Sequence, residues 1–119
     1  MGKVSVIWKD EIWIYIENVL ENKLTQKEAG LLISKISLCK PAYAEGFIMA
    51  AKRMVAGECI TRIVGIEILE NIAFCIFRKY GNSVNKNIVL ALEQYKDYEP
   101  NNLKNSDAIR KLIQKYKTI

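Results

Sequence analysis

The sequence predicts an all-α fold, a right-handed superhelix of six to seven short helices with a buried central helix. Three observations carry this. Apolar residues recur at helical spacing, not strict alternation, through most of the 119 residues. Thr25-Gln26-Lys27-Glu28 reads as a capping box, in which hydroxyl and carboxylate reciprocally satisfy orphan amides at a helix start. Two prolines and six glycines in the whole chain permit long helices and argue against a many-turned β-sandwich.

The first helix is predicted from Asp10 to about Asn22, with Ile12, Ile16, Val19 and Leu20 in one apolar stripe, Trp13 beside it and Glu17, Asn18 and Glu21 opposite. I-W-I-Y-I also alternates like a strand, but the polar continuation E-N-V-L-E-N-K favours helix. The capping box starts a second helix that runs to about Leu38, with Ala29, Leu31, Leu32, Ile33 and Ile36 on its apolar side. Pro41 suits the first turn of a third helix carrying Phe47, Ile48, Ala51, Met54 and Val55, and Gly57 stops it. A fourth helix is expected from about Glu58 to Tyr80, with Glu58 and Arg62 as an i,i+4 pair at its start. From Ile63 to Phe77 it is apolar almost all round, which predicts that its neighbours enclose it. Asn82 or Ser83 is expected to cap a fifth helix reaching about Tyr98, with Ile88, Leu92 and Tyr95 inward. Residues 99–102 read as a loop. Ser106 is expected to cap a last amphipathic helix using Ile109, Leu112, Ile113 and Tyr116.

No composition shift or linker divides the chain, so residues 1–119 are expected to form a single domain, long enough to bury roughly two-thirds of its unfolded surface. Half the residues are hydrophobic, and a net charge of +5 is modest, so the composition is not that of a disordered chain. Histidine is absent, which removes the commonest general base, the commonest zinc ligand and the Glu-x-x-His pattern of di-iron carboxylate bundles. Cys39, Cys59 and Cys75 show no C-x-x-C spacing, so no metal site is expected, and no cofactor motif is present. Glu67 and Glu70 lie three residues apart with nothing to complete a general acid/base pair, and the chain is read as a non-enzyme. An odd number of thiols, no secretory h-region and no stretch of the ~20 apolar residues that cross a bilayer suggest a cytoplasmic or nuclear protein. Lys104, Arg110, Lys111, Lys115 and Lys117 against Asp107 place most of the positive excess near the end of the chain. This basic patch fits a phosphate, nucleic acid or anionic membrane surface, or simply a solvated helix end whose cations match the macrodipole.

The stretch P-A-Y-A-E-G-F-I-M-A-A-K-R-M from Pro41, a turn, and I-V-G-I-E-I-L-E-N-I-A-F from Ile63 resembles the third and fourth helices of VHS domains. Those domains show A-x-x-x-L-x-K-R-L, a turn, then A-L-x-L-L-E or L-L-D, and a last helix like I-L-x-L-I-Q-x-W. Ile109 to Tyr116, I-R-K-L-I-Q-K-Y, is similar to that last helix. Two sister families share the superhelix: the ENTH lipid-binding domains and the CTD-interacting domains that read the RNA polymerase tail. The latter carry L-D-S-I-V-K-N, and Leu69-Glu70-Asn71-Ile72 is similar to its first half.

The resemblance implies a protein-interaction adaptor, with ubiquitin or a short linear cargo motif as partner, at work in vesicular and endosomal sorting. As a polymerase-tail reader it would instead act in RNA processing in the nucleus. Aligning E-A-G-L-L-I on the VHS D-W-G-L-I-L places Ala29 and Ile33 at the two ubiquitin-binding positions. Glu70 falls at the tail readers' peptide-binding Asp and Asn71 beside it. With Glu67 they form a polar strip, expected to floor a peptide groove between the second and fourth helices or to be a plain water-facing seam. Trp8 and Trp13 are further anchors to weigh, as exposed contacts or as core.

Overall fold

The computed structural model describes residues 8–97 and 106–119, and every regular element among them is helical. The order is α1 (Asp10–Leu20), α2 (Gln26–Ser37), α3 (Pro41–Ala56), α4 (Ile66–Tyr80), a 3-10 turn (Gly81–Val84), α5 (Asn85–Lys96) and α6 (Ser106–Lys117). The loop expected at 99–102, the continuation of α5 to Tyr98, the capping side chain of Ser106 and the Lys104 cation lie outside the described residues.

Local chemistry sets most of the helix ends. Asp10 and Glu11 place negative charge on the first turn of α1, where the helix dipole favours it. Asn22 turns through φ 63°, and Lys23 and Leu24 both donate to the carbonyl of Asn18, closing α1. The capping box is present: Thr25 Oγ1 accepts from Glu28 N at 3.1 Å and Glu28 Oε1 accepts from Thr25 N at 2.9 Å. Pro41 opens α3, and Gly57, at φ 73°, ends it. That glycine is required twice over, because a Cβ there would also stand 2.9 Å from Asn87 Oδ1. Asn87 in turn donates to Val55 O at 2.7 Å and ties α5 to the end of α3.

The helix expected from Glu58 begins only at Ile66. After Gly57 the chain runs without helix to Gly65, burying Ile60 and Val64. Their i,i+4 spacing imitates a helix stripe, but Thr61, Ile63 and Val64 are β-branched and stiff at χ1, and Gly65 follows them. A side chain satisfies the backbone instead: Tyr95 Oη accepts from Val64 N at 2.9 Å and donates to Val64 O at 3.3 Å. Glu58 consequently pairs with Arg53 at 2.8 Å and not with Arg62.

The enclosed helix is α3, not the stretch from Ile63 to Phe77. α3 packs against α1, α2, α4 and α5 and buries Ala44, Gly46, Phe47, Ile48, Ala50, Ala51 and Met54. α4 is one-sided, with Ile68, Leu69, Ile72, Ala73 and Ile76 inward and Glu67, Glu70 and Phe74 in solvent. One further inward assignment fails: Leu31 is 46% exposed. α2 meets α3 through Ala29, Gly30, Ile33 and Ser37, and Gly30 sits so close that a Cβ would lie 2.6 Å from Glu45 Cγ. That close approach turns Leu31 outward. The inward faces of α5 and α6 are as expected, with Ile88, Leu92, Tyr95, Ile109, Leu112, Ile113 and Tyr116 in one contiguous core.

Candidate functional site

α1 and α4 both pack on α3 and are linked to each other at one end by an ion cluster. Lys79 Nζ reaches Glu17 Oε2 at 2.9 Å and Glu21 Oε2 at 2.6 Å. The Lys79 ammonium, with help from Lys23, holds the Glu21 carboxyl below its ordinary range, and the two carboxylates push the Lys79 pKa up. Away from this clamp the helices part into a groove of about 320 Å³ lined by Trp8, Asp10, Trp13, Ile14, Asn71, Phe74, Cys75 and Arg78.

The groove is apolar at its walls. Ile14 is 52% exposed and Phe74 46%, and both indoles are only half-buried. On α4 the residues Glu67, Glu70, Asn71, Phe74 and Arg78 recur at three- and four-residue steps, so they form one outward stripe. The Arg78 guanidinium lies 5.4 Å from the Phe74 ring centroid, a cation–π contact at the rim. Asn71 donates to the carbonyl of Glu67 at 2.8 Å, leaving its side-chain oxygen for a partner.

The polar strip inside the apolar segment therefore reaches solvent: Glu67 and Glu70 are exposed and Asn71 is half-exposed. The groove beside it is lined from α1, however, not from α2, which packs on α1 and α3. The expected groove between the second and fourth helices is corrected to one between the first and fourth. Ala29 and Ile33 are corrected too. Both have 0% exposure in the core, so neither can touch ubiquitin or any other partner. The outward face of α2 offers Leu31 instead, and the residue that ends the helix, Leu38, is 80% exposed in the left-handed region at φ 53°.

Arg110, Lys111, Lys115 and Lys117 are all exposed on α6, opposite its buried face. Arg110 is 3.6 Å from Asp107 and Lys117 is 3.6 Å from Glu93, loose surface pairs that leave the face basic. Burial pushes the Cys75 thiol up, opposed by Arg78 and reinforced by Asp10 and Glu17, so the thiol is the favoured form of this wall residue. Tyr116 is raised to about 12, first by burial and then by Cys75 and Glu70. Among the described residues no group of three or more Cys, Asp or Glu is placed to hold a metal, and no helix is long and apolar enough to cross a membrane.

The residues that sequence reasoning passed over are Ile14, Phe74 and Arg78. Ile14 lies off the Ile12–Ile16–Val19 stripe, which was a readable sign of its exposure. Phe74 follows Glu70 by one turn, and that places it on the polar face. No family model matches the chain, and neither a curated protein nor a solved structure matches it significantly.

Proposed function

We propose that this chain is a non-catalytic protein-interaction module that takes short segments of partner proteins in the α1/α4 groove. The observation that carries the proposal is the pairing of half-buried indoles with exposed Ile14 and Phe74 around one cleft, since aromatic anchors dominate interfaces of this kind. The proposal includes the resemblance to VHS domains, with the helices wound as a right-handed superhelix, and hence an adaptor in vesicular or endosomal sorting at the cytoplasmic side of membranes. The exposed Leu31 on α2 and Leu38 at its end support ubiquitin as one partner, through these residues.

A second reading rests on Glu70 and the free oxygen of Asn71, which suit hydroxyl and amide donors of an extended peptide such as the polymerase tail. A third rests on the basic face of α6, which suits nucleic acid or an anionic surface.

Titration of isotope-labelled protein with ubiquitin, and with polymerase-tail peptides phosphorylated and not, tests the set. Shifts at Trp13, Ile14, Asn71 and Phe74, or at Leu31 and Leu38, are the expected result. Shifts confined to Arg110, Lys111 and Lys115, appearing only with RNA or anionic vesicles, would move the function to α6. No shift with any protein or peptide would remove the interaction reading.

A further inference from the structure

α1 and α4 carry the carboxylates Asp10, Glu11, Glu17, Glu67 and Glu70 and only the cations Arg78 and Lys79. These are five of the chain's 13 acids and two of its 18 basic residues, so the two helices that form the groove are acidic in a chain of net charge +5. The imbalance persists once the clamp is set aside, because Lys79 is held by Glu17 and by Glu21 just past the end of α1. Arg78 lies over Phe74. Asp10, Glu11, Glu67 and Glu70 have no ion-pair partner among the described residues, and all four are exposed. Asp10 and Arg78 both line the groove, and the unpaired excess lies at Glu67 and Glu70, which continue the Asn71–Phe74 stripe beyond it.

We infer that the occupant of the α1/α4 groove is a partner segment that seats one or two large apolar side chains among Trp8, Trp13, Ile14 and Phe74 and sets Lys or Arg against Asp10, Glu67 and Glu70. This rests on the interaction reading and adds the chemistry of the partner. A volume of about 320 Å³ is near the lower end for ligand sites, which matches one or two side chains and not a whole helix face. The charges supply choice more than strength. An acidic segment meets three unpaired carboxylates, and a basic one pairs with them at the rim. A second copy of the chain does not supply such a segment from its basic α6, whose apolar side chains Ile109, Leu112, Ile113 and Tyr116 are committed to its own core.

The test uses two blocked peptides, KLLFLK and its twin ELLFLE, titrated into the full chain while indole and backbone signals are followed. The lysine peptide is expected to move the Trp8 and Trp13 indoles and the Phe74 amide, and to bind about tenfold more tightly than its twin, the ratio due to a few exposed charge pairs. The preference is expected to shrink as salt rises, and in the surface variant E67Q/E70Q, both of whose positions are exposed. Equal binding of the twins in the groove would overturn the charge assignment while leaving the interaction reading standing. Shifts of the same signals with protein concentration alone would assign the groove to a second copy and overturn it as well. Ubiquitin or tail peptides binding elsewhere, with both twins silent, would refute this groove but not the module.

Discussion

Tyr95→Phe removes one oxygen from the centre of the molecule and tests how the start of α4 is held. The hydroxyl lies in a buried position, accepting from Val64 N at 2.9 Å and donating to Val64 O at 3.3 Å. The phenyl ring refills the same space, so no cavity term arises. What changes is that the buried Val64 amide loses its acceptor. An unsatisfied buried donor costs about 1–3 kcal/mol, and the longer bond to the carbonyl adds little, so the expected loss is about 2 kcal/mol. With a urea slope of about 1.5 kcal/mol per molar, the unfolding midpoint should fall by about 1.3 M without a change in slope. Val64 should also lose protection from hydrogen exchange ahead of the core helices. Tyr43→Phe is the matched control: its hydroxyl accepts from Gly65 N at 3.4 Å in an exposed setting where water can replace it, so less than about 0.5 kcal/mol is expected. Equal losses in the two variants, or a Tyr95→Phe loss below about 0.5 kcal/mol, would refute the view that one tyrosine replaces a helix turn between Gly57 and Ile66.

Three other substitutions test separate links of the argument. Leu38→Gly should stabilise the chain by about 1 kcal/mol, since the left-handed conformation costs a non-glycine residue about that much and the 80% exposed side chain gives up little burial; a lower denaturation midpoint would refute this. Ala29→Trp, which restores the indole of the VHS pattern, should cost at least about 3 kcal/mol or prevent folding, because the site is fully buried; a stable variant that gains ubiquitin affinity would overturn the placement of α2. Lys79→Met should flatten the acid limb of stability against pH. Glu21 has a depressed folded pKa, so its contribution is present above its ordinary value of 4.5 and is lost as pH falls through the folded value. Lys79 has a raised pKa, so its share is present below its ordinary 10.5 and is lost as pH rises through the folded value. Identical pH–stability slopes for wild type and variant below pH 5 would refute the clamp.

Three boundaries set by local backbone chemistry were legible, whereas the cap expected from Asn82 or Ser83 is not made, because a 3-10 turn leads into α5 through Val84. Thr25 with Glu28, Pro41 and Gly57 act within one turn of chain, and each stands where its pattern placed it. The misplaced start of α4 is of another kind. Ile60 and Val64 have the spacing of a helix stripe, and the residue that lets the backbone do without helix is Tyr95, 31 positions away. Leu31 likewise points outward because Gly30 lets α3 approach, which is a property of two helices and not of one. The candidate site was half legible for the same reason. Glu67, Glu70 and Asn71 announced a polar face on α4, but the helix across from that face depends on how four helices settle around α3.

The position of α3 explains why a groove exists at all. A helix that packs against four others needs small and apolar residues on most of its surface, and α3 supplies them with Ala44, Gly46, Ala50 and Ala51 beside Phe47, Ile48 and Met54, leaving Lys52 to solvent. Because α3 fills the centre, α4 needs only one apolar face, and its second face is free to carry Glu67, Glu70, Asn71, Phe74 and Arg78. α1 is fastened to α4 near the Lys79 end, where Glu17 and Glu21 converge on one ammonium. Towards Trp8 and Asp10 no described ion pair draws the helices together, and the apolar walls stay apart with Asp10 and Arg78 among them and Glu67 and Glu70 beyond. A partner segment that closes that end would cover Ile14 and Phe74 and give Asp10, Glu67 and Glu70 the cations they lack. The same three carboxylates would repel one another less once paired, so partner binding and the stability of the α1/α4 packing should rise together.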